Sequence, residues 1–332
     1  MPTLVITMFL FQFQFAAYCA AVPRMADPVV VQFSKMAFLH GLPVANFRVF
    51  AFVNGALSPI PFQIDEKSSA EDYVFTKGTK GKKKSLGRIG EFDEVVFMSK
   101  DSGARAPKEK IPYQFDKGAE IEINDPLTGE SSYVYLLYSH SPEAMPVSDK
   151  KYVQTVGKRW VEGAYYRVGQ STEKKAAKYQ NIVDYFAILK EDMGNDENIL
   201  DRVKFRSRVD ALGGTVRFGR DESNFRTQPV AELTGPVRKI SKFKNSVYLA
   251  MGITTPPQTY NVTYYYNGYI TPVYIDIPID LTTIKSLVRT AYFRSTLDFN
   301  ENAIGMRYYN PSHRRGILID GKPSSEEKDI GE

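Results

Sequence analysis

The chain has 332 residues and a mass of 37.6 kDa, and 43 Lys and Arg against 38 Asp and Glu give it a formal net charge of +5. A hydrophobic content of 43% with 24% charged residues is typical of a folded protein, which excludes a disordered chain and a polytopic membrane protein. The single cysteine excludes a disulfide scaffold and a cysteine-ligated metal site, and the three histidines lie far apart. We therefore expect no metal and no cofactor.

The N-terminal segment has the composition of an export signal. Residues 4–22 contain no charged residue, and small residues follow the apolar run at positions 16, 17, 20 and 21, which are all alanine. We predict a signal peptide over residues 1–21. The mature protein would then lie in the periplasm, on the outer surface or outside the cell, with no membrane span after cleavage.

Two alternatives stay open for this segment. About 20 apolar residues suffice to cross a bilayer, so an uncleaved anchor is the first alternative. Gln12 and Gln14 in the middle of the run count against it. The second alternative is a lipid anchor on Cys19, against which stands Tyr18 at a position where a small residue is expected.

Short runs of Val, Ile, Phe and Tyr between Gly, Pro, Asn and Asp recur along most of the chain, a pattern typical of β-strands. The predicted strands of the first part are 29–33, 49–53, 60–64, 94–98, 119–123 and 133–138. Because Asp125-Pro-Leu-Thr-Gly129 supplies turn residues, we expect the last two strands to form a hairpin.

Two prolines within residues 142–149 mark a boundary between two parts of the chain. The sequence therefore predicts an all-β protein with at most one or two short helices. A smaller N-terminal β domain over residues 22–145 would be followed by a larger antiparallel β-sandwich over 150–320 and a polar tail over 321–332. Residues 171–193 are compatible with a helix and, over 182–189, with a strand, so both remain open.

A second hairpin is predicted within residues 260–276. Asn267-Gly268 at its centre favours a two-residue type I′ turn, because both residues tolerate a positive φ. This turn would place Tyr266 opposite Tyr269 and Tyr264 opposite Thr271.

Acidic residues stand at the ends of several predicted strands, at Asp65, Glu66, Asp93, Glu94 and Asp101. If these strands are neighbours, the carboxylates would be able to bind calcium or to act as an acid/base pair. The alternative is that they accept hydrogen bonds from turn amides.

The most informative segment is residues 201–209, in which Arg202, Lys204, Arg206 and Arg208 alternate with other residues. At the period of a strand, all four cations share one face. Residues 202–244 contain 11 Lys and Arg against 4 Asp and Glu, an excess larger than that of the whole chain. Such a face would bind an anionic glycan or another envelope polyanion. The alternative is that acids of neighbouring strands pair with it.

Tyrosines 264, 265, 266, 269 and 274 surround the second hairpin. Aromatic rings stack on sugars, but tyrosine is also a good strand residue that packs in sheets. The predicted substrate-binding residues are Arg202, Lys204, Arg206, Arg208 and Tyr265. No catalytic residue is assigned, and no nucleic-acid-binding signature is found.

Four fragments carry a resemblance to a known group of proteins. They are Pro59–Glu66 (PIPFQIDE), Phe92–Gly103 (FDEVVFMSKDSG), Leu200–Arg206 (LDRVKFR) and Gly235–Arg238 (GPVR). Together they resemble uncharacterised exported bacterial proteins of β-rich architecture. The last fragment, with Ile317-Leu-Ile-Asp-Gly321, is also similar to β-sandwich domains of polysaccharide lyases and mutarotase-like proteins. The resemblance implies an exported β protein, and no lyase catalytic residue maps onto this chain.

We therefore expect an exported protein that binds an anionic polysaccharide through the basic strand face. In an enzymatic version, Arg206 or Arg208 would neutralise a uronate carboxylate while Tyr265 abstracts the α-proton. The alternative function is that of a non-catalytic structural or assembly protein of the cell envelope.

Overall fold

The computed structural model describes residues 3–6, 26–70, 72–78, 86–170, 183–190, 194–212, 215–250, 253–272 and 288–322. These residues form a largely antiparallel all-β structure, which confirms the predicted fold class. The eight strands of the first part are β1 (Thr3–Ile6), β2 (Pro28–Gln32), β3 (Phe47–Val53), β4 (Ala56–Pro59), β5 (Phe62–Asp65), β6 (Glu94–Met98), β7 (Lys117–Asn124) and β8 (Ser131–Tyr138).

Fourteen described strands follow in the second part of the chain. They are β9 (Gln154–Val156), β10 (Trp160–Glu162), β11 (Tyr166–Gly169), β12 (Tyr185–Ile188), β13 (Leu200–Ala211), β14 (Val216–Asp221), β15 (Phe225–Thr234), β16 (Lys239–Ala250), β17 (Ile253–Thr254), β18 (Gln258–Tyr264), β19 (Tyr269–Ile270), β20 (Val288–Phe299), β21 (Arg307–Tyr308) and β22 (Ile317–Leu318).

The strands of the first part form two sheets that share one core. Sheet 1 has the order β1-β7-β8-β3-β4 and sheet 2 the order β2-β6-β5. Apolar side chains from both sheets meet between them, with Val31 and Phe97 from sheet 2 and Phe47, Ile121 and Leu136 from sheet 1 all fully buried. Alternation along each strand directs these residues to one side, so the two sheets pack face to face.

Strand β6 is buried on both of its faces, which explains its continuous apolar sequence. Val95 and Phe97 point into the core between sheets 1 and 2. Val96 and Met98 point the other way and pack with Tyr152 and residues of the second part of the chain. Sheet 2 therefore lies between sheet 1 and the later sheets, and the second face of β6 carries the residues of the junction.

The second part of the chain forms sheet 3 (β12-β11-β10-β9), sheet 4 (β14-β13-β20), sheet 5 (β15-β16-β18-β19, with β17 on β16) and the two-stranded ribbon β21-β22. Sheets 3 and 5 pack on each other, with Val161 and Tyr166 of sheet 3 against Val262 and Tyr264 of sheet 5. In the described residues, every strand up to Tyr138 pairs within sheets 1 and 2 and every later strand within the other sheets, and an isolated bridge joins Lys77 of the first part to Glu232 of β15.

The described helical segments are short 3-10 turns. They are Phe33–Leu39, Val44–Asn46, Ser99–Asp101, Lys108–Lys110, Pro142–Ala144, Glu222–Asn224 and Glu301–Ala303. Among the described residues no helix has the length and apolar character needed to span a bilayer.

The six strands predicted in the first part are confirmed, each to within two residues at either end. The hairpin between β7 and β8 is confirmed as well, with Asn124 opposite Ser131. Most of the segment 171–193 lies outside the described residues, but β12 confirms a strand within 182–189.

The predicted centre of the second hairpin is wrong by one residue. Tyr264, not Tyr266, lies opposite Tyr269, and the amide of Tyr265 donates to the carbonyl of Gly268 at 2.8 Å. Neither Asn267 nor Gly268 has a positive φ, so the turn is not type I′. The reason is tertiary, because the Tyr166 hydroxyl donates to the carbonyls of Tyr265 and Gly268 and fixes the loop from sheet 3.

The predicted signal peptide is described only at residues 3–6. These form β1, which pairs in parallel with β7, Leu4 opposite Ile121. The remainder of residues 1–21 lies outside the described residues, and so does most of the predicted polar tail. Cleavage and export remain predictions.

Candidate functional site

The predicted basic face lies on β13, and its cations bind carboxylates of the same protein. Arg202 pairs with Asp201 at 3.3 Å and with Glu222 at 3.8 Å, and Arg206 pairs with Glu222 as well. Lys204 pairs with Asp298 at 2.8 Å, and Arg208 with Asp210 at 3.1 Å. The four cationic side chains keep between 23% and 43% of their surface exposed. They are accessible, but each has an anionic partner.

The strand register explains this pairing. Asp298 of β20 lies directly opposite Arg202 and one diagonal step from Lys204. Glu222 opens the 3-10 turn after β14, capped by Asp221, and its side chain is buried at the edge of the same face. Opposite charges on neighbouring strands stabilise a sheet, and an external anion would have to displace them. The structure thus shows the internal pairing that the sequence left open as the alternative.

Tyr265 lies away from that face, in the turn between β18 and β19 of sheet 5. Its hydroxyl is 3.5 Å from a guanidinium nitrogen of Arg238. The structure therefore places the predicted Tyr265 and the predicted β13 arginines in different sheets. Arg206 bonds the Phe205 carbonyl and Glu222, whereas Tyr265 lies next to Arg238, so the two side chains have different neighbours and the enzymatic version remains a prediction.

Arg238 belongs to a buried group of charges between sheets 2 and 5, which we call the interface ion cluster: Arg238, Lys67, Asp65, Glu94 and Gln63. Arg238 donates to Asp65 at 2.8 Å and to Glu94 at 2.6 Å. Lys67 donates to the other oxygen of Glu94 at 2.8 Å. Gln63 accepts from the Arg238 amide at 2.8 Å. The charged side chains of this cluster are at least 94% buried.

The two carboxylates of this cluster respond differently to burial. Burial raises the pKa of Asp65 above its ordinary value, although Arg238 and Gln63 act against it. Burial would raise the pKa of Glu94 too, but Arg238 and Lys67 together outweigh it and hold that pKa below the ordinary value. The same carboxylates keep the pKa of Arg238 well above the ordinary arginine value, against the effect of its burial. Arg238 is thus a permanent cation inside the junction.

Gly235 makes this arrangement possible. A Cβ at this position would overlap the side-chain amide of Gln63, which must approach to bond the amides of Val237 and Arg238. The fragments 59–66, 92–103 and 235–238 therefore meet at one place, although they are far apart in sequence.

The predicted meeting of carboxylates is confirmed for one pair. Asp65 of β5 lies opposite Glu94 of β6. Their partners are the protein's own cations, and Asp93 accepts from the amides of Lys67 and Gly90, as the turn-amide alternative expects. Among the described residues no group of three or more His, Cys, Asp and Glu is placed to hold a metal ion.

A second charged group lies at the other end of β6, and we call it the lysine–tyrosine cluster: Lys100, Lys150, Tyr152, Tyr165 and Tyr266. The Lys100 ammonium lies 3.2 Å from the ring centre of Tyr266 and 4.3 Å from that of Tyr152. The Lys150 ammonium lies 4.8 Å from the Tyr152 ring centre. The hydroxyls of Tyr165 and Tyr266 are 3.3 Å apart.

Three elements bring these side chains together. Lys100 lies in the 3-10 turn that directly follows β6. It is on the same side as Val96 and Met98, the β6 residues that pack with the second part of the chain. Tyr152 is anchored by its amide, which donates to the Pro236 carbonyl at 2.7 Å. Tyr266 is held by its carbonyl, which accepts from the amide of Ala164 at 2.8 Å, and a Cβ at Gly163 would overlap this contact.

The lysines of the lysine–tyrosine cluster form no close ion pair with a carboxylate of the described residues. In the described part of the chain, neither Lys100 nor Lys150 has a carboxylate oxygen within 4.0 Å. Burial lowers the pKa of Lys100, and the charge of Lys150 lowers it further, against Asp101 and Tyr165. Burial also raises the pKa of Asp101, whose two oxygens accept from the Tyr152 hydroxyl at 2.6 and 2.8 Å. Lys100 and Lys150 both act against this rise, so two cations share the charge of one carboxylate that lies beyond ion-pair distance of either.

Burying part of a cation without a carboxylate in contact is unfavourable for folding, and ionisable groups with perturbed pKa values cluster at functional sites. Lys100, Tyr165 and Tyr266 are all partly exposed. The arrangement offers ammonium donors for an anion and aromatic rings for the apolar face of a sugar.

Sequence reasoning placed Asp101 in an acidic group and Tyr266 in the tyrosine-rich hairpin, but it did not connect them with Lys100. One usable signal was present, because Lys100-Asp101 directly follows a strand whose apolar run predicts burial on both faces.

No protein-family model matches the sequence, and no curated protein is significantly similar to it. The resemblance to exported β-rich proteins and to lyase sandwich domains therefore remains a prediction.

Proposed function

We propose that the protein binds an anionic saccharide and that the lysine–tyrosine cluster, not the basic face of β13, is the binding site. The observation that supports this proposal is the absence of a carboxylate within 4.0 Å of Lys100 and Lys150 in the described residues, while every cation of the β13 face has one. A ligand carboxylate or sulfate would supply the missing charge.

The cluster favours a saccharide over a bare anion. The partly exposed rings of Tyr165 and Tyr266 have centres 5.2 Å apart, about one sugar length, and the buried Tyr152 ring supports Tyr266 from 5.1 Å. An ammonium beside such rings is held in place by the cation–π attraction and keeps hydrogen-bond donors for a ligand. The ligand class that fits is an oligosaccharide with carboxylate or sulfate groups, as expected for an exported protein that meets envelope or extracellular glycans.

The experiment is a calorimetric titration with an oligouronate and with the same oligosaccharide after its carboxylates are reduced to alcohols. We expect the acidic form to bind and the reduced form to fail. Affinity for the acidic form should fall as salt rises, because the contact is ionic. Lys100→Gln and Lys150→Gln should each weaken binding about 10-fold, since each removes a charge-assisted hydrogen bond.

Two variants serve as matched controls. Lys158→Gln removes the same charge from an exposed turn, and Arg208→Gln removes a cation of the β13 face. We expect both to bind within about twofold of the unmodified protein. If Arg208→Gln lowers the affinity and Lys100→Gln does not, the β13 face and not the lysine–tyrosine cluster binds the saccharide.

The alternative function, a non-catalytic structural or assembly protein of the envelope, is favoured by the pairing on β13. It predicts that no acidic oligosaccharide binds and that substitutions on β13 affect only stability.

A further inference from the structure

The C-terminal ribbon, which we define as β21, β22 and the loop 309–316 between them, is a small ordered projection. Arg307 pairs with Leu318 and Tyr308 with Ile317. Below the ribbon, the amide of Gly305 donates to the carbonyl of Ile319 at 2.8 Å. The Tyr308 ring lies 6.0 Å from that of Phe299 of β20, which connects the ribbon to sheet 4.

The loop of the ribbon has a defined shape. The Asn310 side chain accepts from the amides of Ser312 and His313 at 2.9 and 2.8 Å. The amide of Gly316 donates to the carbonyl of His313 at 3.0 Å, and the Tyr309 ring packs on Gly316 so closely that a Cβ there would overlap it. These contacts hold the loop tip, residues 311–315, outward in solvent.

The loop tip and β21 carry positive charge that no carboxylate of the described residues contacts. Between Glu301 and Asp320 the sequence contains Arg307, Arg314 and Arg315 and no acidic residue. Arg314 and Arg315 are exposed, and none of the three arginines has a carboxylate within 4.0 Å in the described part of the chain. Arg307 donates only to a carbonyl, that of Gly316, at 3.3 Å.

Large apolar side chains are exposed on the same ribbon. Ile317 is 39% exposed, Leu318 50% and Ile304 56%. Because Ile317 and Leu318 are neighbours in a strand, they point to opposite faces, and the described residues leave both faces of β22 partly exposed. Ile304 lies against Gly321, three residues beyond Leu318, so exposed aliphatic side chains occur on both faces of the ribbon and at its base.

We propose that the C-terminal ribbon binds the surface of a bilayer that contains anionic phospholipids. The arginines pair with lipid phosphates, and Ile304, Ile317 and Leu318 enter the interfacial region between headgroups and acyl chains. Arginine is suited to this role because its planar guanidinium bonds phosphate through two donors. Clustered cations beside exposed aliphatic residues are the combination that interfacial binding requires.

The composition and size of the ribbon favour a bilayer over other partners. A saccharide would stack on aromatic rings, whereas the large hydrophobic side chains exposed here are aliphatic. A stable protein partner needs on the order of 1,000 Å² of buried surface, which two strands of two residues do not offer. The inference is independent of the proposed saccharide site, which uses none of these residues.

The test is flotation of the full chain with vesicles of phosphatidylcholine alone and with phosphatidylglycerol added. We expect binding to the anionic vesicles only. Arg314→Gln with Arg315→Gln should weaken binding about 30-fold, because each arginine near an anionic surface contributes about fivefold. Ile317→Ser with Leu318→Ser should weaken it at low and at high salt, since the apolar contribution is not screened.

The controls remove the same groups from other surfaces. Lys108→Gln with Lys110→Gln removes two exposed cations, and Leu127→Ser removes an apolar side chain that is 77% exposed. Both should float like the unmodified protein, and so should Lys100→Gln, which tests the saccharide site. Circular dichroism melts should show that all variants fold, because every substituted side chain but Lys100 is exposed.

Three outcomes would overturn the proposal. The first is the absence of binding to anionic vesicles. The second is loss of binding in the arginine variant with none in the Ile317→Ser, Leu318→Ser variant, which would indicate a soluble polyanion. The third is a dimer, measured by light scattering, that the apolar substitutions dissociate, which would indicate that a second copy of this chain covers the ribbon.

Discussion

The β13 face and the lysine–tyrosine cluster are both basic, and they differ in what surrounds the cations. On β13, Lys204 lies 2.8 Å from Asp298 and Arg206 pairs with the buried Glu222. In the cluster, Lys100 lies on two aromatic rings instead, with its pKa lowered by burial and by Lys150. A high local density of Lys and Arg thus occurs both where each cation has a carboxylate in contact and where none does. Only the positions of the carboxylates distinguish the two cases.

The interface ion cluster extends this comparison to full burial. Arg238 is 2% exposed and has two carboxylate partners, so its charge is compensated by residues of the same protein. The three regions predict different consequences when a cation is removed. Loss of a paired cation leaves a carboxylate without compensation, whereas loss of an unpaired cation relieves an unfavourable charge.

The largest effect is expected at Arg238. Arg238→Met should lower the free energy of unfolding by about 3–5 kcal/mol, because it leaves Asp65 and Glu94 buried with one fewer cation. Urea denaturation at neutral pH measures this. Arg226→Met, which removes an exposed arginine of β15 bonded to carbonyls, is the matched control and should change stability by less than about 0.5 kcal/mol.

If Arg238→Met does not fold, Arg238→Lys keeps the charge and should retain the fold at reduced stability. A stability of Arg238→Met equal to that of Arg226→Met would contradict the role assigned to the interface ion cluster.

Two smaller changes in the free energy of unfolding, of opposite sign, should distinguish the two basic regions. Arg206→Met should cost about 1–2 kcal/mol, because Glu222 then keeps only Arg202 at 3.8 Å. Lys100→Met should leave stability unchanged or raise it by up to about 1 kcal/mol, because burial of this ammonium is unfavourable and the nearby carboxylate, Asp101, acts on it only from beyond 4.0 Å. Parallel urea titrations give both values. A loss at Lys100→Met as large as that at Arg206→Met would show that Lys100 is compensated in the folded protein.

The strands were predictable because their signal is local. Alternation of apolar residues and turn chemistry between Asp125 and Gly129 suffice to define β7, β8 and their hairpin. The register at Asn267-Gly268 was not predictable, because Tyr166 of another sheet fixes that loop. Local turn preference yields to a tertiary hydrogen bond in this case.

Which residues form each candidate site, and whether its cations have carboxylate partners, depends on contacts between residues far apart in the sequence. Periodicity showed that Arg202, Lys204 and Arg206 share a face, but Glu222 and Asp298 reach them only through sheet 4. Lys100 and Tyr266 are 166 positions apart and meet only because sheet 2 packs on the second part of the chain. A single sequence contains no pattern at that range.

The pKa of Lys100 is the sharpest test of the claim that this ammonium is partly buried without a carboxylate in contact. The pKa of this lysine is lowered in the folded protein, so the folded state binds fewer protons than the unfolded state just below the ordinary value of 10.5. As pH rises through the lowered pKa, the contribution of Lys100 to stability should therefore increase while affinity for an anionic saccharide is lost.

Nuclear magnetic resonance of the lysine side-chain ammonium and Cε groups, followed through a pH titration, measures that pKa. We predict that Lys100 titrates below 10.5, that Lys150→Gln moves its titration upwards, and that a saturating acidic oligosaccharide does the same. A Lys100 that titrates at or above the ordinary lysine value in the free protein would contradict the claim that burial and Lys150 outweigh the effect of Asp101 on this ammonium.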